Sequence, residues 1–177
     1  VMGLGIIAEF IYEPIEGEGY IIASATPGDG HGGGDVVEEV VEPIAVRLQV
    51  ASADQGERVS AKCASCHSFA EGAPHKVGPT LWGIVGREMA ATDFDKYSGS
   101  LQAAAAEGRT WTFEELDHFL DAPKGWIEGT TMTFAGLKKP EDRANMIAFL
   151  RGQSDSPVPL PVVVVEEAAA PEGDGHG

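Results

Sequence analysis

The sequence predicts a small all-α domain held between two acidic extensions. Helix start and stop signals recur through the middle of the chain, and no convincing period-2 strand pattern interrupts them. Glycine- and proline-rich loops join those helical runs. Charge is also uneven. Residues 1–47 carry nine acids and one base, residues 48–154 fourteen acids and eleven bases, and residues 155–177 five acids and no base. A nearly balanced middle reads as the folded unit, and the acidic ends read as solvated.

The whole chain has 177 residues and a net charge of −16, which is one ordinary domain plus extensions. Nucleic acid is excluded as a partner, because neutralising phosphates needs clustered Lys and Arg. Two cysteines rule out a disulfide-dense scaffold.

Residues 1–12 are apolar except for Glu9 and two glycines. Twelve residues are too few to cross a bilayer, which takes roughly 20. The segment reads as the end of a membrane anchor, or else as a short apolar stretch that packs on protein. Residues 13–52 read as an acidic linker, with Pro14, Pro27 and Pro43 and a glycine run after Pro27. Residues 153–177 repeat that character, with Pro157, Pro159 and Pro161 before a valine run. The pentapeptide Gly28-Asp29-Gly30-His31-Gly32 recurs as Gly173-Asp174-Gly175-His176-Gly177. One His and one Asp per extension cannot fill a metal's coordination shell, so each repeat reads as low complexity.

Four helices are expected in the middle. Gln55–Lys62 places Gly56 and Val59 on one face. Ser98–Ala106 is Ala-rich and stops at Gly108. Thr112-Phe113-Glu114-Glu115 is a capping box opening a helix that ends at Asp121, before Pro123. The last helix takes Pro140 at its first position, Glu141 and Asp142 in the first turn, and Gly152 as its stop. Irregular stretches at 67–96 and 121–139 need something to pack around, which points to a buried prosthetic group.

Cys63-Ala64-Ser65-Cys66-His67 carries the chemistry. A thioredoxin-like pair would need a βαβ context. A structural zinc site would need further ligands. Covalent haem attachment needs only what is present: two thiols one turn apart for two vinyl groups, and a histidine beneath the ring. Of the four methionines, Met132 lies in the Gly/Thr loop 129–136 and is the preferred sixth ligand, because a thioether favours ferrous iron. Met89 is a minor option. Met146 shares a face with Phe149 and Leu150 and reads as core.

Together these segments resemble the class I cytochromes c of mitochondrial and bacterial type. The motifs are Cys63-Ala64-Ser65-Cys66-His67, Gly78-Pro79-Thr80-Leu81-Trp82-Gly83-Ile84-Val85-Gly86-Arg87, Trp111 and Thr131-Met132-Thr133-Phe134-Ala135-Gly136. The resemblance covers about residues 53–152 and looks most like the membrane-anchored bacterial members. It implies four to five helices around one covalent haem c, attached at Cys63 and Cys66 and ligated by His67 and Met132. It further implies that the Pro79 carbonyl accepts from His67, that Arg87, Tyr97, Trp111 and Thr130 contact a propionate, and that Gly56 and Phe149 form a close helix crossing. Phe119 stands where the family often has a Tyr reaching the Met sulfur. Lys62, Lys76, Lys124, Lys138 and Lys139 would surround the exposed haem edge. His75 and His118 read as solvent-facing, and Trp82 and Trp126 as packing beside the pocket.

The implied function is one-electron transfer rather than catalysis. Electrons would come from a cytochrome bc complex and go to a haem–copper terminal oxidase or a photosynthetic reaction centre, on the periplasmic side of the bacterial membrane. The alternatives are a bound haem c subunit of a larger oxidoreductase and a peroxidase-like cytochrome with a labile Met ligand.

Overall fold

The computed structural model describes residues 41–163. Residues 1–12, most of the expected linker and both Gly-Asp-Gly-His-Gly repeats lie outside the described residues. Among those described, six helices form and no strand does. They are α1 (Ile44–Val50), α2 (Ala53–Ser60), α3 (Gly99–Ala106), α4 (Phe113–Asp121), α5 (Pro123–Trp126) and α6 (Pro140–Gly152).

Local chemistry sets most of their starts. The Ser52 hydroxyl accepts from Gln55 N at 3.3 Å to open α2, and the Ser52 N–H donates to Asn145 Oδ1 of α6 at 2.7 Å. Ser98 caps α3 by accepting from Leu101 N at 3.2 Å. Thr112 caps α4 by accepting from Glu115 N at 3.1 Å. The return half of the expected capping box is not made. The Glu115 carboxylate instead takes Arg109 at 2.7 Å and the Trp126 indole N–H at 2.6 Å. Charge-assisted partners outbid a neutral backbone N–H. Pro123 ends α4 and then occupies the first turn of the short α5.

The α2 and α6 helices cross closely. A Cβ at Gly56 would fall 2.7 Å from Phe149 Cβ and overlap the Asn145 carbonyl, so only glycine fits. This is the crossing expected of Gly56 and Phe149.

The folded unit extends past residues 53–152 on both sides. α1 lies within the stretch read as linker, with Ile44, Ala45 and Leu48 buried. Its fixing element is Arg47, which is also buried. Arg47 donates to Asp117 Oδ2 at 2.5 Å and Oδ1 at 3.1 Å, and to the carbonyls of Pro140 at 2.8 Å and Glu42 at 2.7 Å. Arg143 of α6 donates to the same Asp117 Oδ1 at 2.8 Å. A buried carboxylate between two guanidiniums thus ties α1 to α4 and α6. Composition hid this, because a lone base in an acidic region looks solvated until its partner is known.

Beyond α6 the chain doubles back. Gln153 O accepts from Gly83 N at 2.7 Å, and Val158 O accepts from Arg151 Nε at 2.5 Å. Val158 rests against Gly86, and Pro161 O accepts from Gln49 Nε2 of α1 at 3.0 Å.

Candidate functional site

The turns after α2 carry the cysteines. Cys66 N and His67 N both donate to Cys63 O, at 3.0 and 2.9 Å, so the three reactive side chains sit on one wound segment. The loop 78–81 clamps onto it. Gly78 N donates to Cys66 O and Leu81 N to Ser68 O, both at 2.8 Å. His67 Nδ1 lies 2.7 Å from the Pro79 carbonyl. That contact requires Nδ1 to carry the proton, which leaves Nε2 with its lone pair. Gly78 presses on the same ring: a Cβ there would come within 2.9 Å of both ring nitrogens.

This segment forms one wall of a cavity of about 320 Å³. Met132, Phe134 and Thr130 line it from the loop before α6. Leu116, Phe119 and Leu120 line it from α4, and Met146 and Leu150 from α6. Trp111 and Phe119 pack with centroids 5.0 Å apart. The walls are largely apolar, and of the lining residues only Lys62, Val77, Lys96, Thr131 and Thr133 are exposed.

The polar groups are few. Arg87 donates to the carbonyls of Trp82 at 2.8 Å and Thr80 at 3.0 Å. Its Nε is buried and finds no hydrogen-bond partner among the described residues. Tyr97 shares a 2.6 Å hydrogen bond with Thr92 Oγ1. Burial pushes the Arg87 guanidinium pKa down, against the opposing pull of Tyr97. Burial also pushes the His67 imidazole down, aided by nearby Lys76 and opposed by the Pro79 carbonyl, so the ring is held neutral. The Cys63 thiol is pushed up by burial, with Lys62 opposing and Cys66 adding.

Cys63, Cys66, His67, Pro79, Arg87 and Tyr97 all line this one cavity, as do Trp111, Phe119, Thr130 and Met132. Of the five lysines, only Lys62 lines it. Lys76 binds the Ala64 carbonyl at 2.7 Å over the cysteine turn, and Lys138 is tied to the Asp121 carbonyl at 2.7 Å. Lys124 and Lys139 are exposed off the cavity. Met89 is buried away from the cavity, and Met146 joins Met132 on its wall.

Three residues behave differently from their reading, and a fourth, His118, matches it with one added contact. Trp126 does not line the cavity; it is 40% exposed and stacks on His118 at 4.2 Å. Trp82 lines a separate shallow cleft beside His75. His75 is held rather than simply solvated, 2.7 Å from Asp93 Oδ1 and accepting from Thr80 N at 2.9 Å. His118 is exposed as expected, but engaged in that stack. Two cavity-rim residues were missed, Lys96 and Val77. Val77 could have been found, because it directly precedes the Gly78-Pro79 pair.

The cytochrome c family profile matches residues 53–154 of this chain. The chain belongs to the cytochrome c family. It is 42% identical over 135 residues to a cytochrome c homolog of Bradyrhizobium diazoefficiens, covering 75% of this chain and 71% of that one. It is 36% identical over 153 residues to a cytochrome c homolog of Rickettsia prowazekii, covering 85% of each. The cytochrome c2 of Agrobacterium tumefaciens matches at 45% over 96 residues, covering 54% of this chain and 86% of that one. Among solved structures, cytochrome cH from Methylobacterium extorquens superposes with a TM-score of 0.52 at 34% identity, covering 58% of this chain and 99% of that one.

Cytochromes c of this family are electron carriers with one covalently bound haem c, and this cytochrome c has the same cofactor. The residues present fit that group. An apolar slot suits a macrocycle, two thiols stand at its wall, and the unpartnered Arg87 Nε suits an acidic arm.

Proposed function

We propose that this cytochrome c shuttles single electrons with a haem c fixed by thioethers at Cys63 and Cys66 and ligated by His67 and Met132. When bound, the haem supplies a one-electron iron couple whose potential is raised by a His/Met ligand pair. The observation that carries the reading is the 2.7 Å contact between His67 Nδ1 and the Pro79 carbonyl, inside a cavity that Met132 also lines. It fixes the tautomer and would leave the lone pair of Nε2 free to hold the iron. Gly78 lets that loop lie flat against the ring.

The remaining residues serve binding and exclusion. Leu116, Phe119, Leu120 and Leu150 keep water from the slot. Arg87 would offer its unused Nε to one propionate, and Tyr97 and Thr130 also line the cavity. Phe119 presents no hydroxyl to the Met132 sulfur. With His67 and Met132 both serving as ligands, the bound iron would keep no open position for a substrate, which separates this reading from a peroxidase.

The proposed donor is a cytochrome bc complex, and the acceptor is a haem–copper oxidase or a photosynthetic reaction centre. The site of action is the periplasmic face of the bacterial membrane, contacted through the apolar segment 1–12. Among the described residues no helix is long and apolar enough to cross a membrane.

Met132→Ala tests the ligand pair. Carbon monoxide should bind the reduced variant, and its potential should fall. Met146→Leu, a near volume-conserving swap, should leave the spectrum as it is. An unchanged low-spin spectrum and potential in Met132→Ala would rule out Met132 as the ligand.

A further inference from the structure

One peptide group joins two histidines. Its carbonyl, that of Pro79, accepts from His67 Nδ1 at 2.7 Å. Its N–H, that of Thr80, donates to His75 Nδ1 at 2.9 Å. The two contacts impose opposite tautomers. His67 carries its proton on Nδ1. His75 offers a lone pair at Nδ1, so its proton sits on Nε2, 2.7 Å from Asp93 Oδ1, which accepts it. A continuous line of hydrogen bonds runs from the Asp93 carboxylate through the His75 ring and the Pro79–Thr80 peptide to the His67 ring.

The surroundings hold this line in place. Thr80 O accepts from Arg87 at 3.0 Å, and Thr80 Oγ1 donates to Ser68 O at 3.4 Å. The Phe94 and His75 rings meet at a steep angle, with centroids 5.4 Å apart. Asp93 and Arg87 are the charged groups that share a shallow cleft with His75, and the neighbouring Lys76 is turned to the Ala64 carbonyl. The bond to His75 holds the Asp93 carboxyl below its ordinary range, so it is ionised at neutral pH. Asp93 lies open to solvent, which gives protons a route to the largely covered His75 ring.

Hydrogen bonds in such a line polarise one another. Donation from Thr80 to His75 makes the Pro79 oxygen a better acceptor. A better acceptor draws on the His67 Nδ1 proton and makes Nε2 more basic toward iron, which favours the ferric state. Protonation of His75 at Nδ1 ends the donation from Thr80, because an imidazolium has no lone pair.

We propose that His75 is a positioning residue that sets the haem potential through the Pro79–Thr80 peptide. Neutral His75 holds the potential down, and its protonation lets the potential rise. By reciprocity, reduction tightens proton binding at His75. The inference rests on the proposed function, in which His67 Nε2 holds the iron.

The test is a spectroelectrochemical titration of the full haem-loaded chain between about pH 5 and 8, where histidine changes charge. Going to acid, the reduced-to-oxidised ratio at a fixed applied potential should rise about fivefold, the low end of coupling between two sites. At about 59 mV per tenfold for a one-electron couple, that is about 40 mV. His75→Phe offers no acceptor, so it should sit near the raised potential at neutral pH and lose the His75 step. His75→Asn keeps an acceptor that does not titrate, so it should hold the parent's neutral-pH potential into acid. In the ferrous proteins, the His67 Nδ1–H resonance should move upfield in His75→Phe and stay near the parent's in His75→Asn. An acid step undiminished in either variant overturns the proposal, so it can be decided even if His75→Phe fails to load haem. A potential that shifts while the His67 resonance stays put also overturns it, because the effect would then pass through Arg87. The parent's spectrum keeps the two readings apart. A parent that is not low-spin sinks the ligand pair itself, whereas a low-spin parent whose variants share its potential at every pH sinks only the role of His75.

Discussion

Single residues decide how the haem slot is closed around its ligand. Gly78 is the sharpest case, since its missing side chain is where the His67 ring lies, with both ring nitrogens within 2.9 Å of the position a Cβ would take. Gly78→Ala should therefore displace the ring or the loop. Overpacking of this kind costs about 1–3 kcal/mol. Thermal melting should show that loss, and the low-spin haem spectrum should weaken with it. An alanine variant with unchanged melting and spectrum would mean that the loop yields freely. Gly136 faces a similar limit, with φ +102° and the Asp121 carbonyl where its side chain would be.

At the scale of elements, α1 rests on one buried ion pair. Arg47→Met leaves Asp117 with Arg143 alone and strips two carbonyls of a donor. Removing one partner of a buried pair costs on the order of 3 kcal/mol. Urea unfolding of the variant should show a loss of that size. A chain starting at residue 53 should lose at least as much, and equal stability of the two lengths would make α1 a bystander. The Glu115 cluster makes a pH prediction. Burial raises the Glu115 carboxyl pKa, but Arg109 and the Trp126 N–H, with lesser help from His118, outweigh it and hold it low. A depressed folded value gives stability that is present above the unfolded pKa of about 4.3 and lost as pH falls through the folded one. Glu115→Gln should thus be less stable than the parent at neutral pH, with the gap closing in acid. A gap that persists at about pH 3 would show the residue acting through shape rather than charge.

For the whole molecule, charge placement governs encounter. Lys62 and Lys96 stand at the cavity, while Lys138 is paired with Asp121 and lies off it. Lys62 has a partner in Asp142 at 3.9 Å, whereas Lys96 forms no ion pair among the described residues, and such a positive rim steers acidic partners and is screened by salt. Electron transfer to a purified acidic partner should slow as ionic strength rises. Lys96→Glu should slow it more than Lys138→Glu, since the second charge is already offset by Asp121. Stopped-flow rates across a salt series would measure both. Equal effects, or rates that rise with salt, would assign docking to the exposed apolar Val77 instead.

Local chemistry made much of this legible in the sequence. The Cys63–His67 spacing, the Pro140 start of α6, and the Ser98 and Thr112 caps each act within one or two turns, so a short window contains the whole cause. The rim residue Lys96, the diverted Glu115 carboxylate and the exposed Trp126 were not legible, because each depends on a partner in another element. α1 is the clearest instance. Its helix has no side-chain cap and its stretch is acidic, so nothing local distinguishes it from a linker. It is fixed by Asp117 and Arg143, 70 and 96 positions along the chain, and only folding sets those charges around Arg47. The same holds for α1 and the stretch after α6, which the Gln49–Pro161 hydrogen bond joins. Sequence determined which cysteines, histidine and methionine line the cavity, because those groups are set by short loops. Tertiary structure decided where the domain ends, because long-range burial and ion pairing have no local signature.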